Sequence, residues 1–328
     1  MPSMLQRLLY SPFLAQIVVT RRCNLACSYC NEYVTSGPDV PLDALLARAR
    51  RLRELGAWAL ELSGGEPLLN PGACDLVAYA KHELRFYRVM LVSNAFLFDD
   101  DLVERMNRAG LDDLQVSVDG VQPSTETLKV LRTMRPKLER LARTARFRVT
   151  LNAVIGSTVP EEAIEVLRFA RQMGFRPRAC LLHDGSGQLR LTPTQTATFT
   201  RMRREFRGRL VESSDYRTQL SRGGSAPFKC RAGSRYLYVD EDGMVRWCSQ
   251  QRTAWGIPLE QYDFDELKRQ FHTPKSCSPS CTVGCVRTCS AYDGWRPQRL
   301  PVVEVPAEAN FHVSAQALTE RRQRSTSK

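Results

Sequence analysis

The chain has 328 residues, with 47 Lys and Arg against 35 Asp and Glu, for a formal charge of +12. Hydrophobic residues make up 43%, enough for a sizeable core, and no apolar run of the ~18 residues that a membrane helix needs is present. Residues 1–14 lack the apolar stretch and small-residue cleavage site of a secretory signal, so a cytoplasmic location is expected. At roughly 100–200 residues per domain, the length suits two domains or one barrel with an appendage. The positive charge is dispersed, as in Arg168, Arg171, Arg176 and Arg178, and part of it lies in the tail 321–328. It reads as a solvated surface, with nucleic acid, anionic lipid or an acidic substrate as the alternatives.

Apolar runs alternate with helical patterns. Strands are predicted at 16–20, 59–63, 89–93, 114–118, 148–155 and 179–183, with helices at 42–55, 74–84, 102–109, 124–141 and 161–173 between and after them. Pro160 before Glu161 and Glu162 marks a helix start. Gly56, Gly110 and Gly174 stand where helices end on a left-handed cap. Repeated β–α units imply a parallel α/β sheet with helices outside. Six units are too few for the eight-fold barrel, so a partial, open (β/α)6 TIM-like barrel is expected. Chemistry in such sheets collects at the C-terminal strand ends. Cys23, Gly64–Pro67, Asn94 and Asp119 fall there, after the first four strands.

A helix at about 193–211 closes this region, and the polar, Gly-rich stretch that follows reads as a linker. A hairpin is expected from 236–240 and 244–248 around Glu241-Asp242-Gly243. The predicted organisation is a barrel at 1–212, a linker at 213–228, a small C-terminal cysteine-rich domain at 229–295 and a tail at 296–328. So small a module is expected to be held by metal.

Eleven cysteines in a cytoplasmic chain are not expected to pair as disulfides. Cys74 and Cys180 stand alone and read as core thiols, while the others form two groups. Cys23, Cys27 and Cys30 form C-x3-C-x2-C. Three thiolates can hold three irons of a cubane and leave the fourth open, whereas four close it. A zinc site is the alternative, but structural zinc takes four ligands, and the nearest histidine, His82, is far along the chain.

With Tyr29 before Cys30, this loop resembles the C-x3-C-x-aromatic-C motif of the radical S-adenosylmethionine (radical SAM) superfamily. Further elements of the resemblance follow in order over about residues 15–190. Gly64-Gly65-Glu66-Pro67 looks like the GGEP motif that holds the cofactor's amino group. The chemistry agrees, since glycines allow close backbone approach and a carboxylate accepts charge-assisted hydrogen bonds. Ser93-Asn94 is similar to the polar pair after the third strand, with Ala95 in place of the usual glycine. Ser117 and Asp119 match the S-x-D segment, and both segments imply ribose or carboxylate contacts. Asn152 and Ile155, within 152–156, resemble the fifth-strand segment near adenine, and 181–183, with His183, the sixth. The resemblance implies a [4Fe–4S] cluster on Cys23, Cys27 and Cys30, S-adenosylmethionine as cofactor, and reductive cleavage to a 5′-deoxyadenosyl radical that takes hydrogen from a substrate. No catalytic side chain is assigned beyond these cofactor sites.

The second group is Cys230, Cys248, Cys277, Cys281, Cys285 and Cys289. Cys230-Arg231-Ala232-Gly233 and the G-x4-C ending at Cys248 resemble the SPASM/twitch extension, which binds auxiliary [4Fe–4S] clusters. The x3, x3, x3 spacing departs from that pattern, so one or two auxiliary clusters remain open, with a zinc staple as the alternative. Pro279 and Gly284 interrupt a helical stripe of cysteines, which favours a looped cradle.

The resemblance implies a radical SAM oxidoreductase or maturase acting on a peptide or small molecule, with auxiliary clusters taking up an electron or binding substrate. A flavodoxin- or ferredoxin-type donor is the expected redox partner. Only 22 residues precede Cys23, so the N-terminal recognition domain of many peptide-modifying members is expected to be absent. Lipid or small-molecule biosynthesis without redox use of the auxiliary cluster is the alternative. A zinc-stapled nucleic-acid binder is a remote one, since no basic stretch is interleaved with aromatics.

Overall fold

The computed structural model describes residues 3–30, 32–34, 36–156, 158–182, 189, 191–206 and 216–305. His183 and the tail beyond 305 lie outside the described residues.

Six parallel strands run through the first two-thirds of the chain: β1 (Leu14–Thr20), β2 (Ala59–Gly64), β3 (Arg88–Ser93), β4 (Asp113–Val118), β5 (Arg148–Ile155) and β6 (Arg176–Leu181). Helices follow them: α1 (Met4–Tyr10) precedes β1, then come α2 (Leu42–Glu54), α3 (Ala73–Ala78), α4 (Asp100–Ala109), α5 (Leu131–Thr144), α6 (Glu162–Gln172) and α7 (Pro193–Glu205). The helix ends follow local chemistry. Asp99 caps α4 by accepting from the Leu102 amide at 2.8 Å, and Gly110 ends it at φ +81°.

The sheet order is β6-β5-β4-β3-β2-β1-β7-β8-β9, where β7 (Tyr236–Val239), β8 (Met244–Arg246) and β9 (Ile257–Pro258) come from the C-terminal part. β7 pairs in parallel with β1, Leu14 opposite Tyr236, and the β7–β8 pair is antiparallel. The expected hairpin therefore extends the barrel sheet past β1 instead of standing apart from it. Pairing with β1 satisfies backbone groups that a short isolated hairpin would leave at an open edge.

Side-chain alternation splits the core in two. Ile17 and Val19 of β1 pack with the helices outside the sheet. Leu14 and Val18 face inward with Tyr236, Tyr238, Trp247 and Cys289. The helices α8 (Tyr216–Ser221), α9 (Phe264–His272) and α10 (Gly284–Ala291) complete the chain.

Three local expectations are corrected. The helix expected at 124–141 starts only at Leu131, because Val130 is extended (φ −131°, ψ 158°) and bridges Gly120. The stretch expected to be a linker contains α8. The cysteine run is not all loop: Cys277 and Cys281 flank a short 3-10 turn, but Cys285 and Cys289 lie on α10, which begins at Gly284 instead of being broken by it.

Candidate active site

The residues after β1 turn back over the C-terminal end of the sheet. Arg22 anchors the turn: its guanidinium grips Asp39 at 3.0 and 2.5 Å, and its carbonyl accepts the Glu66 amide at 2.8 Å. Gly64 (φ +141°) and Gly65 are required by this crossing. A Cβ on Gly64 would lie 2.0 Å from the Thr20 carbonyl, and one on Gly65 2.3 Å from that of Arg22.

A cavity of about 120 Å³ opens there, lined by Cys23, Cys27 and Cys30 with Gly65, Ser93 and Lys129 among others. The Leu25 amide points at Cys23 Sγ at 3.4 Å, Asn94 Nδ2 lies 3.8 Å from the same sulfur, and Cys27 Sγ is 3.6 Å from Thr127 Oγ1. Burial raises the Cys23 thiol and pushes Cys30 up to about 11. A cation that displaces these protons would therefore gain three thiolates in a dry site.

Glu66, fully buried, is held by a fan of donors: Ser93 Oγ at 2.9 Å, the Asn94 amide at 2.7 Å and the Leu68 amide at 3.2 Å. Burial outweighs them and pushes its carboxyl up to about 7. Pro67 opens the 3-10 turn that supplies the Leu68 amide. Ala95 adopts φ +62°, the left-handed backbone for which glycine is suited, and its amide donates to Ser93 Oγ at 2.9 Å.

Ser117 lines the cavity. Asp119 lies behind it, accepting from the Tyr29 hydroxyl and paired with Lys129 at 3.6 Å. Asp119 Oδ1 and Asn152 Oδ1 are buried acceptors without a hydrogen-bond partner among the described residues. These unused acceptors, the three thiols and the Glu66 carboxylate make a donor set suited to a cubane and a ligand bearing amino and hydroxyl groups. Ile155 does not join them: its side chain is in the helix-side core.

Two contributors escaped the sequence reading. Thr127 and Lys129 lie on the loop taken for helix, where Lys129 Nζ stands 5.1 Å from the Tyr29 ring centroid. Asp119 and the thiols of Cys27 and Cys30 raise the Lys129 ammonium against the opposing effect of burial.

Of the second cysteine group, Cys230, Cys248 and Cys289 are buried in one cluster with Tyr236 and Tyr238 of β7, and Cys285 packs against it. After burial, the neighbours that most raise Cys248 are Cys281, Cys277 and Cys230, whereas for Cys289 they are Cys285 and Glu61. Burial, then Cys230, pushes both Cys277 and Cys281 up to about 12. Two cations lie among them. Lys275 donates to the Ala232 and Gln270 carbonyls at 2.9 and 2.8 Å, and Arg287 donates to the Cys281 carbonyl at 2.7 Å. Cations beside thiols in a dry setting suit an anionic thiolate cluster. Their sequence signal is basic residues interleaved with cysteines, Lys275 before Cys277 and Arg287 between Cys285 and Cys289.

The family model for the radical SAM superfamily matches residues 17–185, a span that contains the whole cysteine cavity. The chain belongs to the radical SAM superfamily. As a radical SAM enzyme it uses S-adenosylmethionine and a [4Fe–4S] cluster. It is 29% identical over 163 residues to a PqqA peptide cyclase of Gluconobacter oxydans, covering 48% of this chain and 45% of that one. A PqqA peptide cyclase of Granulibacter bethesdensis is 26% identical over 259 residues, 73% of this chain and 68% of that one. The match to the first thus spans about half of the relative's length. In fold, the chain resembles Streptococcus suis SuiB bound to S-adenosylmethionine (TM-score 0.60, 17% identity, 85% of this chain and 72% of that one). It also resembles anSMEcpe with bound AdoMet and a peptide (TM-score 0.60, 16% identity, 96% and 97%). Among the described residues no helix is long and apolar enough to cross a membrane.

Proposed function

We propose that this radical SAM enzyme is a peptide-modifying maturase, with Cys23, Cys27 and Cys30 holding the cluster that binds S-adenosylmethionine. The observation that carries the site reading is the convergence of three thiols, Gly65, Ser93 and Asn94 on one cavity at the C-terminal end of the sheet. The peptide class rests on the likeness to the two PqqA peptide cyclases.

When bound, the cluster and its cofactor supply one-electron cleavage to methionine and a 5′-deoxyadenosyl radical that abstracts a substrate hydrogen. The chain's own residues bind and orient. Glu66, fixed by Ser93 and the Asn94 amide, accepts from the cofactor's amino group. Asn94 steadies the cluster loop through Asn24 Oδ1 at 2.7 Å. Asp119 and Asn152 supply acceptors for hydroxyls. Lys129 offers positive charge to thiolates and to a carboxylate. Enclosure of Glu66 and Asp119 keeps water out, which strengthens each of these interactions.

Cys230, Cys248, Cys277 and Cys281 form a four-thiolate set for one closed auxiliary cluster, with Lys275 and Arg287 offsetting its charge. Cys285 and Cys289, each other's neighbours on α10, are not assigned to that set.

The test is 5′-deoxyadenosine formation by reconstituted, dithionite-reduced protein. Wild type forms it, and Cys23→Ala, Cys27→Ala and Cys30→Ala each abolish it while circular dichroism stays unchanged. Wild-type activity in any one of them refutes the ligand assignment. A peptide encoded beside the gene that fails to gain a modification or lose hydrogen argues against the maturase reading.

A further inference from the structure

The inner face of the sheet carries a second and larger cavity, about 640 Å³, below the cysteine cavity. The first residues of the strands floor it, Leu14 and Ala59 among them, whereas the cysteine cavity takes residues at and beyond their last turns. The two are stacked on the same strands. β3 gives Met90 to the lower cavity and Val92 to the upper, and β4 gives Gln115 and Ser117 in the same way. Residues two apart lie on one face of a strand, about 7 Å from each other. Thr150 of the lower cavity stands one such step below Asn152 on β5. Phe13, Trp58 and Tyr292 give the lower cavity an aromatic rim.

The charges on its wall are largely matched within the protein. Arg88 grips Asp113 at 2.5 Å, and Arg235 grips Asp293 at 2.6 Å. Arg178 donates to Gln115 Oε1, and its charge acts on Glu61, opposing the burial that pushes this carboxyl up to about 7. Arg7 donates to the Glu54 carbonyl at 3.2 Å, and Arg176 is exposed. An anion deep in the chamber would meet Glu61, and a cation would meet five arginines against two acids. A neutral ligand meets neither obstacle. Two buried side chains keep an atom for such a ligand. Glu61, only 7% exposed, accepts from Gln16 Nε2 at 2.8 Å through Oε1, and Gln16 Oε1 accepts from the Tyr236 hydroxyl at 2.5 Å. The carboxylate is thus fixed from β1 and β7. Its Oε2, without a hydrogen-bond partner among the described residues, opens to the chamber. Thr150, 8% exposed, has its hydroxyl open in the same way. An acceptor and a hydroxyl beside apolar walls match the N–H and carbonyl groups of amides on an apolar body.

We propose that this chamber binds amide groups of the substrate, an N–H on Glu61 Oε2 and a carbonyl on the Thr150 hydroxyl, with the substrate's apolar body against the aromatic rim. The reading rests on the proposed function in one respect: the ligand is taken to be the substrate, held below the cofactor. From Glu61 to Gly65, β2 rises about 13 Å, so a ligand of that length reaches toward the cofactor site. A peptide backbone and a small carboxamide present the same chemistry.

The test is calorimetric titration of the full chain, purified anaerobically, at pH 8, where the Glu61 carboxylate predominates. Two matched probe pairs are used. One is 4-phenylbutyramide against its N,N-dimethyl amide, which keeps the carbonyl and has no N–H. The other is acetyl-phenylalanine methylamide against the same compound N-methylated at both amides. 4-Phenylbutyrate and 4-phenylbutylamine supply the anion and the cation. Each N–H amide is expected to bind at least tenfold more tightly than its methylated partner, and 4-phenylbutyramide more tightly than either ion. The N–H preference is expected to fall below threefold in Glu61→Gln, whose side-chain nitrogen can face the chamber in place of the carboxylate oxygen. Thr150→Val, close in shape, is expected to weaken 4-phenylbutyramide severalfold. Circular dichroism follows folding, and if Glu61→Gln does not fold, Thr150→Val decides, with unchanged affinity overturning the proposal. Equal binding within both pairs by wild type overturns it, as do a preference that survives Glu61→Gln, tighter binding of either ion, or no binding of any probe. Tighter binding of the peptide compound supports a peptide substrate, and of the carboxamide a small molecule. 5′-Deoxyadenosine formation, measured in parallel on wild type, separates the failures. Cofactor cleavage without amide preference sinks the chamber alone, and amide preference without cleavage sinks the site reading alone.

Discussion

The carboxylate of Glu32, two residues beyond Cys30, accepts from the Tyr238 hydroxyl of β7 at 2.9 Å. Arg252 completes the contact, reaching Glu32 Oε2 at 3.2 Å and the Tyr238 oxygen at 2.6 Å, and pairing with Glu241. The first cysteine loop is thereby tied to the C-terminal hairpin across more than two hundred residues of chain. Removing a donor from a buried carboxylate costs about 1–3 kcal/mol. Tyr238→Phe is expected to loosen the loop while the barrel stays folded. Hydrogen exchange measured over residues 28–34 should speed up roughly tenfold, equivalent to about 1.4 kcal/mol. Unchanged exchange there would show that the contact carries no restraint.

Glu66 gives a pH-dependent expectation. Its carboxyl is pushed up to about 7 by burial in the cofactor-free protein. Below that pH it is neutral and cannot accept an ionic hydrogen bond, and above it the carboxylate forms. S-adenosylmethionine affinity should therefore rise between pH 6 and pH 8. Glu66→Gln should weaken binding by roughly ten- to a hundredfold at pH 8 and flatten that rise. Calorimetry at the two pH values checks both. A variant as tight as wild type at pH 8 would remove Glu66 from the cofactor site.

Ala95 sits at φ +62° with its side chain fully buried. A left-handed backbone costs a non-glycine residue about 1–2 kcal/mol, while glycine loses more chain entropy on folding. The first effect is the larger, so Ala95→Gly should stabilise the protein by about 0.5–1 kcal/mol, read from the urea midpoint. A clear loss of stability would mean that the buried methyl outweighs the strain.

Much of this was legible because it is local. The six barrel strands are short apolar runs, and five of the six begin or end within two residues of the expected bounds at both ends; β6 instead starts three residues early, at Arg176. Cys23 and Gly65–Pro67 follow strands, and Gly64, Ser93 and Ser117 lie within the last two residues of theirs, closely enough for sequence order to imply one site. The loop before α5 was illegible because Leu128, Val130, Leu131 and Met134 repeat at helical spacing, while the bridge from Gly120 to Val130 is a tertiary choice. The parallel pairing of β7 with β1 was hidden for the same reason, since no local pattern encodes a partner so distant. Lys129 and Glu32 carried no motif, and only their packing gives them meaning.

The division of the second cysteine group predicts iron content. If Cys230, Cys248, Cys277 and Cys281 hold one closed cluster, reconstituted wild type binds roughly eight irons per chain and Cys248→Ala roughly four. Cys285→Ala should retain the wild-type amount, as should Cys289→Ala. Loss of iron in either of these last two would place them among the ligands.

The most direct measurement is electron paramagnetic resonance of Cys248→Ala, reduced with dithionite, before and after S-adenosylmethionine is added. With the auxiliary set broken, the signal that remains belongs to the Cys23, Cys27 and Cys30 cluster. It is expected to be that of a reduced [4Fe–4S] centre and to change shape and g-values when the cofactor chelates the open iron. No cubane signal, or one that the cofactor leaves untouched, would contradict the assignment of that loop.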